Sequence, residues 1–163
     1  MIDASLIFDG TVNTTPNTGV TGTAVTATRA STNVIDFLTG RDLGVDSLLG
    51  IHVMVTEAFA TLTSLQVDFE VCDTAGGTFL ALALSPVTPV AQLIIGCPLF
   101  RVALPLNQVL NATAGVLKTP GQYCQLRYTV AGSNATAGKV FSWIAPNNDR
   151  QQYWSYPSGY TAY

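Results

Sequence analysis

Apolar and polar residues alternate with a period of two along much of the chain, the spacing of a strand with one buried face. In LQVDFEVCD, Leu65, Val67, Phe69 and Val71 fall on one face, and Gln66, Asp68 and Glu70 on the other. QYCQLRYTV repeats the pattern, with Cys124, Leu126, Tyr128 and Val130 opposite Gln125, Arg127 and Thr129. In each case the first face is expected to be core and the second wet. KVFSWIA follows, with Phe141 and Trp143 together, and the intervening AGSNATAG supplies a Gly-rich turn. That pair is expected to be a hairpin.

TAVTATR, NVIDFL, GIHVMVTEAF, TFLALAL and LFRVALP are further strand segments, each bounded by Gly, Pro, Asn or Asp. The total comes to about eight strands. No window of helical length keeps apolar residues at i, i+3, i+4 and i+7 without meeting Gly or Pro, so substantial helix is not expected. The predicted class is all-β, an antiparallel two-sheet sandwich, with jelly-roll, immunoglobulin-like and barrel closures all compatible with the pattern.

At 163 residues and 17.2 kDa the chain fits one domain that can bury a core without staples. Residues 1–22 read as an N-terminal arm and loop, 23–148 as the sandwich, and 149–163 as an aromatic tail. The arm offers Ile2, Leu6, Ile7 and Phe8 ahead of the polar TVNTTPNTGVTG. The tail, YWSYPSGYTAY, places Tyr153, Trp154, Tyr156, Tyr160 and Tyr163 in an uncharged run. Both arms flank the body and can reach neighbours, and a groove between two subunits is expected to hold the tail.

Charge alters the picture most. Charged residues make up 10% of the chain, against roughly 25% in a typical soluble chain. Between Asp73 and Lys118 the sole charged side chain is Arg101. A surface so poorly defended predicts burial against partners, as a homo-oligomer of dimeric or trimeric order, through a contact insensitive to salt. The net charge of -3 and scattered Lys and Arg leave no basic stripe for nucleic acid. TFLALALSPVTPVAQLII is interrupted by Ser85, Pro86, Thr88, Pro89 and Gln92, short of the ~18–20 apolar residues of a spanning helix. MIDASLIFDG lacks the features of a signal peptide, so synthesis in a cytosol is expected.

Candidate chemistry is sparse. Cys72, Cys97 and Cys124 are widely spaced with no CxxC pair, and buried free thiols are expected. The one histidine, His52, sits in the apolar GIHVMV and is read as structural or interfacial rather than catalytic. GxSxG, HExxH, GxGxxG and GxxxxGK[ST] are absent. Asp68 and Glu70 share a strand face, where two carboxylates can serve glycoside hydrolysis, but solvation is the simpler role for such a pair. Sequons at Asn13, Asn111 and Asn134 are expected by chance in so Asn- and Thr-rich a chain. No enzyme activity, metal or cofactor is expected.

Three stretches, TATRASTNVIDFLTGRDLG (26–44), QLRYTVAGSNATAGKVFSWI (125–144) and DRQQYWSYPSGY (149–160), together with the opening MIDASLIFDG, resemble the jelly-roll capsid cement, or decoration, proteins of tailed bacteriophages of the Bordetella-phage type. The resemblance implies a jelly roll that docks as a homo-oligomer on the outer face of a virion shell and bridges adjacent major capsid protein subunits. It also implies that Asp36, Arg41 and Asp42, around a Gly-rich bend, fix a subunit contact, and that Arg150, beside Asp149, anchors the tail by ion pairing or ring stacking. A ligand-binding sandwich, lectin-like or receptor-binding, is the competing reading, since Trp154 and Tyr156 can stack on sugars.

Overall fold

The structure, a computed structural model, describes residues 4–13, 19–37, 49–72, 74–103, 109–110, 117–118 and 122–146. The described residues are all-β, apart from short 3-10 turns at Ala4–Leu6 and Val90–Gln92. Six short strands come first: β1 (Ile7–Asp9), β2 (Thr11–Val12), β3 (Val20–Thr21), β4 (Thr23–Ala24), β5 (Arg29–Ala30) and β6 (Ile35–Asp36). Then come β7 (Leu49–Cys72), β8 (Leu80–Leu84), β9 (Thr88–Pro89), β10 (Pro98–Ala103), β11 (Val109–Leu110), β12 (Leu117–Lys118) and β13 (Tyr123–Pro146).

β7 and β13 are each 24 residues long, several times the usual strand length of about 5–6. They pair antiparallel from Leu49↔Pro146 to Cys72↔Tyr123. β1, β4, β5 and β6 pair with the other edge of β13, and β8, β9 and β10 with the other edge of β7. By hydrogen bonding this is one curled nine-stranded sheet, accompanied by the small ribbons β2–β3 and β11–β12.

The expected hairpin is therefore corrected. Residues 123–130 and 140–146 do not turn back on each other; both belong to β13 and both pair with β7. AGSNATAG is instead a bend, where the register slips between Ala131 and Val140. GIHVMVTEAF and LQVDFEVC are likewise parts of one strand, β7, bent over the same place.

Local chemistry explains the bend. Thr61 has φ 73°, a left-handed conformation that a β-branched residue rarely adopts. Its hydroxyl lies 2.6 Å from the Ala60 carbonyl and 2.8 Å from that of Asn134, and accepts from the Thr136 amide at 3.0 Å. Gly138 (φ 131°) carries no side chain because the Phe59 ring occupies that space. Bulges of this kind sharpen the twist and let a long ribbon fold over.

Folding over brings both halves of each strand onto one core. Ile51, Val53 and Val55 from the first half of β7 share a cluster with Leu65, Val67, Phe69 and Val71 from the second, and with Leu126, Tyr128, Val140 and Ile144 of β13. Phe8 of β1 packs edge-on to Phe69 at 6.5 Å. Phe141 and Trp143 point the opposite way, into a second cluster with Ile7 and Ala145. The face expected to be wet is dry in places, since Glu70 and Gln125 are buried.

A buried polar clasp fixes β1. The Asp9 carboxylate is fully buried and accepts from Arg29 Nη2 at 2.9 Å and from the Thr32 hydroxyl and amide at 2.6 and 3.1 Å. The Arg29 guanidinium lies 5.1 Å over the Tyr128 ring. Below it the Tyr128 and Ser142 hydroxyls meet at 2.9 Å; burial, then the Asp9 charge, holds the phenol pKa well above its ordinary value. Asn33 donates to the Ile7 carbonyl through its side chain and to that of Phe8 through its amide. Residues Arg29–Asn33 thus make β1 part of the body. Phe8, expected on an arm free to reach neighbours, is core.

In urea denaturation, Phe69→Ala is expected to cost about 3–5 kcal/mol and Asp9→Ala about 3 kcal/mol, because Arg29 loses its buried counter-charge. Thr129→Ala, on the half-buried outer face, is expected to change stability by under about 0.5 kcal/mol. Equal small losses at all three would contradict this assignment of faces.

Candidate interaction surface

The uncharged residues 74–100 run along the outer edge of β7. From the far end, β8 pairs with Asp68–Val71, β9 with Ser64–Leu65, and β10 with Gly50–Met54. Between β9 and β10, Phe59 and Gly96 donate to the carbonyls of Leu93 and Val55. The segment therefore follows β7 around the bend. It is anchored inward by Leu93, Leu99 and Phe100, all buried. Ser85 pins the β8–β9 link: its hydroxyl accepts from the Val67 amide at 2.8 Å, and its own amide donates to the Val67 carbonyl at 2.8 Å.

What this edge leaves outside is apolar. Among the described residues, the large hydrophobic side chains that remain exposed are Val12, Val34, Leu80, Leu84, Val87, Ile94 and Ile95, and those from Leu80 onward all belong to this segment. Leu84 is 61% and Ile95 70% exposed, so neither is a core residue that merely grazes the surface. Single exposed aliphatics need no explanation, but several on one uncharged edge mark an interaction surface. An edge strand also offers backbone groups to any passing strand, a hazard usually countered by charge or proline. Here Pro86, Pro89 and Pro98 interrupt the edge, and the single charge along it is Arg101 in β10. What this edge offers outward is therefore side chains more than unpaired backbone.

The polar face of β7 and β13 does other work. Glu70 receives Arg127 Nε on one oxygen and Gln125 Nε2 on the other, both at 2.7 Å. Both its oxygens are engaged in holding β7 to β13. Asp68 stands across from Arg127 in register, yet its pKa is raised, first by burial and then by the neighbouring Glu70 charge, with Arg127 opposing. Glu57 and Lys139 form a further cross-strand pair at the bend, 2.5 Å apart. His52 is buried and stacks on Trp143, ring centroids 5.3 Å apart. Cys72 and Cys124 are buried free thiols and Cys97 is half-buried and free; burial raises the thiol pKa of Cys97 and Cys124.

Of the residues expected at interfaces, Leu6 is half-buried and packs against the core, and Phe8 is inside it. Asp36 is exposed in β6 and accepts from Gln122 Nε2 at 2.9 Å. Ile2, Arg41, Asp42, Arg150, Tyr153, Trp154, Tyr156, Tyr160 and Tyr163 lie outside the described residues. Leu80, Leu84, Val87, Ile94 and Ile95 were not singled out in the sequence. The absence of charge around them was the available signal; which apolar residues face outward depends on where the segment docks on β7.

The family model described as Bbp16 matches residues 20–144, a span that starts at β3 and takes in β7, the whole apolar edge and β13 as far as Ile144. No curated protein matches the chain.

A carboxylate with a raised folded pKa contributes stability that is fully present below its unfolded value and lost as pH rises through the folded value. Asp68→Asn removes that loss. In urea titrations between about pH 3 and pH 7, Asp68→Asn is expected to gain on the wild type as pH rises; a difference that stays flat would contradict the assigned environment.

Proposed function

Because the chain belongs to the Bbp16 family, a family of bacteriophage proteins, we propose that it is a structural virion protein that decorates the outer surface of a tailed-phage capsid. In this reading it cements the shell by bridging adjacent major capsid protein subunits and associates with further copies of itself. The curled sheet serves as a jelly roll, a rigid body that presents edges and loops at fixed spacing. No catalytic step, metal or cofactor enters the account.

The observation that carries the reading is the apolar edge of a phage-family protein that exposes Leu80, Leu84, Val87, Ile94 and Ile95 with no charge among them. A free monomer keeps such an edge wet at a cost, whereas a shell component used in many symmetric copies covers it permanently. Repeated weak contacts then gain avidity from simultaneous engagement. The polar face suits the role too: Glu70, Gln125 and Arg127 hold the two long strands together and leave the edge free to make contacts.

Purified protein is expected to be a homo-oligomer by light scattering at micromolar concentration and to co-sediment with undecorated shells of the parent phage. Both are expected to persist from about 0.1 to 1 M NaCl, since salt screens exposed ion pairs but not apolar burial. Leu84→Lys combined with Ile95→Lys is expected to lower shell retention by roughly tenfold or more. Full retention by the doubly substituted protein would overturn the assignment, as would specific, saturable binding on a glycan array with no affinity for shells.

A further inference from the structure

The exposed aliphatic side chains of the apolar edge are few, so a partner that adds further apolar surface would strengthen a contact made there. A stable protein interface covers roughly 800 Å² on each partner. Aromatic rings supply area efficiently, at roughly 150–250 Å² each. The chain carries five of them, without charge, between Tyr153 and Tyr163. Edge and segment match in chemistry: neither brings a charge that would be stranded when water leaves.

The exit of the chain adds a second argument. β13 ends at Pro146, paired with Leu49; one position inward, Ala145 lies opposite Gly50, which lies opposite Ala103 at the end of β10. Pro146, the last described residue of β13, therefore lies at the end of the ribbon, while Ile94 and Ile95 sit further along β7, beside Val55–Phe59. Fully extended, the chain beyond Pro146 spans up to roughly 55–60 Å, more than the width of about 40 Å expected for a domain of this length. It is long enough to leave its own protomer.

Building on the association reading above, we infer that the aromatic segment Tyr153–Tyr163 of one copy docks on the apolar edge of a second copy, with Ile94 and Ile95 as its seat. The exchange is self-complementary: each copy offers a segment and an edge, so two such contacts form in a symmetric pair. Rings and edge together bring each side up to the area a stable contact needs.

The test uses the full chain with the photo-cross-linking residue p-benzoylphenylalanine in place of Trp154, prepared in nitrogen-14 and nitrogen-15 forms and mixed before illumination. The expected result is a cross-link from position 154 to the peptide that contains Ile94 and Ile95, found in mixed-isotope pairs. Ile95→Lys, at a surface position that leaves the core intact, is expected to reduce it by roughly tenfold. Mixed pairs that map elsewhere, or same-isotope pairs alone, would overturn the inference, the latter by showing that the segment covers its own edge. Light scattering on the same samples separates the two readings: an oligomer that persists without the cross-link leaves association standing and removes the tail as its agent.

Discussion

Two 24-residue strands paired with each other on both sides of a bend, from Leu49↔Pro146 to Cys72↔Tyr123, are the constraint on which the rest of this structure depends. Every other strand of the main sheet pairs with β7 or β13. A flat ribbon of that length would expose one apolar face along its whole extent. The bend at Thr61, Gly132 and Gly138 folds the ribbon so that its two halves share one core, and the strained backbone at Thr61 is held by three polar partners on its hydroxyl. Once the fold-over is set, positions elsewhere follow. The N-terminal segments line the outer edge of β13, where the Asp9 and Arg29 clasp locks β1 in place. Residues 80–103 line the outer edge of β7, with little left to cover them.

The strand faces were legible because period-two alternation depends only on local geometry. Leu65, Val67, Phe69, Cys124, Leu126 and Tyr128 are buried as their spacing predicts. The reach of the strands was not legible, because AGSNATAG has the composition of a turn whether the chain reverses there or merely bulges. That ambiguity is resolved only by β7, which pairs across both sides of the bend. Glu70 and Gln125 were expected in water; their burial depends on Arg127 and on each other across the strand pair, which no single strand reveals. Phe8 was placed on an arm because residues 1–10 precede a polar loop, and its burial follows from contacts with Arg29–Asn33 and Phe69 that are distant in sequence. Of the stretches that carried the resemblance, the opening MIDASLIFDG and 26–44 hold Asp9, Arg29 and Thr32 of the clasp, and 125–144 holds much of β13.

For function, the informative property was an absence. A chain with almost no charge between Asp73 and Lys118 must either bury that stretch in its own core or offer it to partners. The structure divides the described part of it: Leu93, Leu99 and Phe100 go inward, while Leu84, Val87, Ile94 and Ile95 stay out. In the reading proposed above, the outward set of this phage-family protein is covered by neighbours in a shell of repeated subunits. The prolines along the edge fit the same purpose, since they discourage open-ended strand addition and leave side-chain contacts of defined geometry.

The most direct test of this account is a reconstruction of the parent phage particle at a resolution that traces side chains. The account predicts this protein on the outer surface of the shell, with the edge from Leu80 to Ile95 covered by a neighbouring copy or by the major capsid protein in every symmetry-related position. A particle in which the protein is present but that edge faces solvent throughout would contradict it.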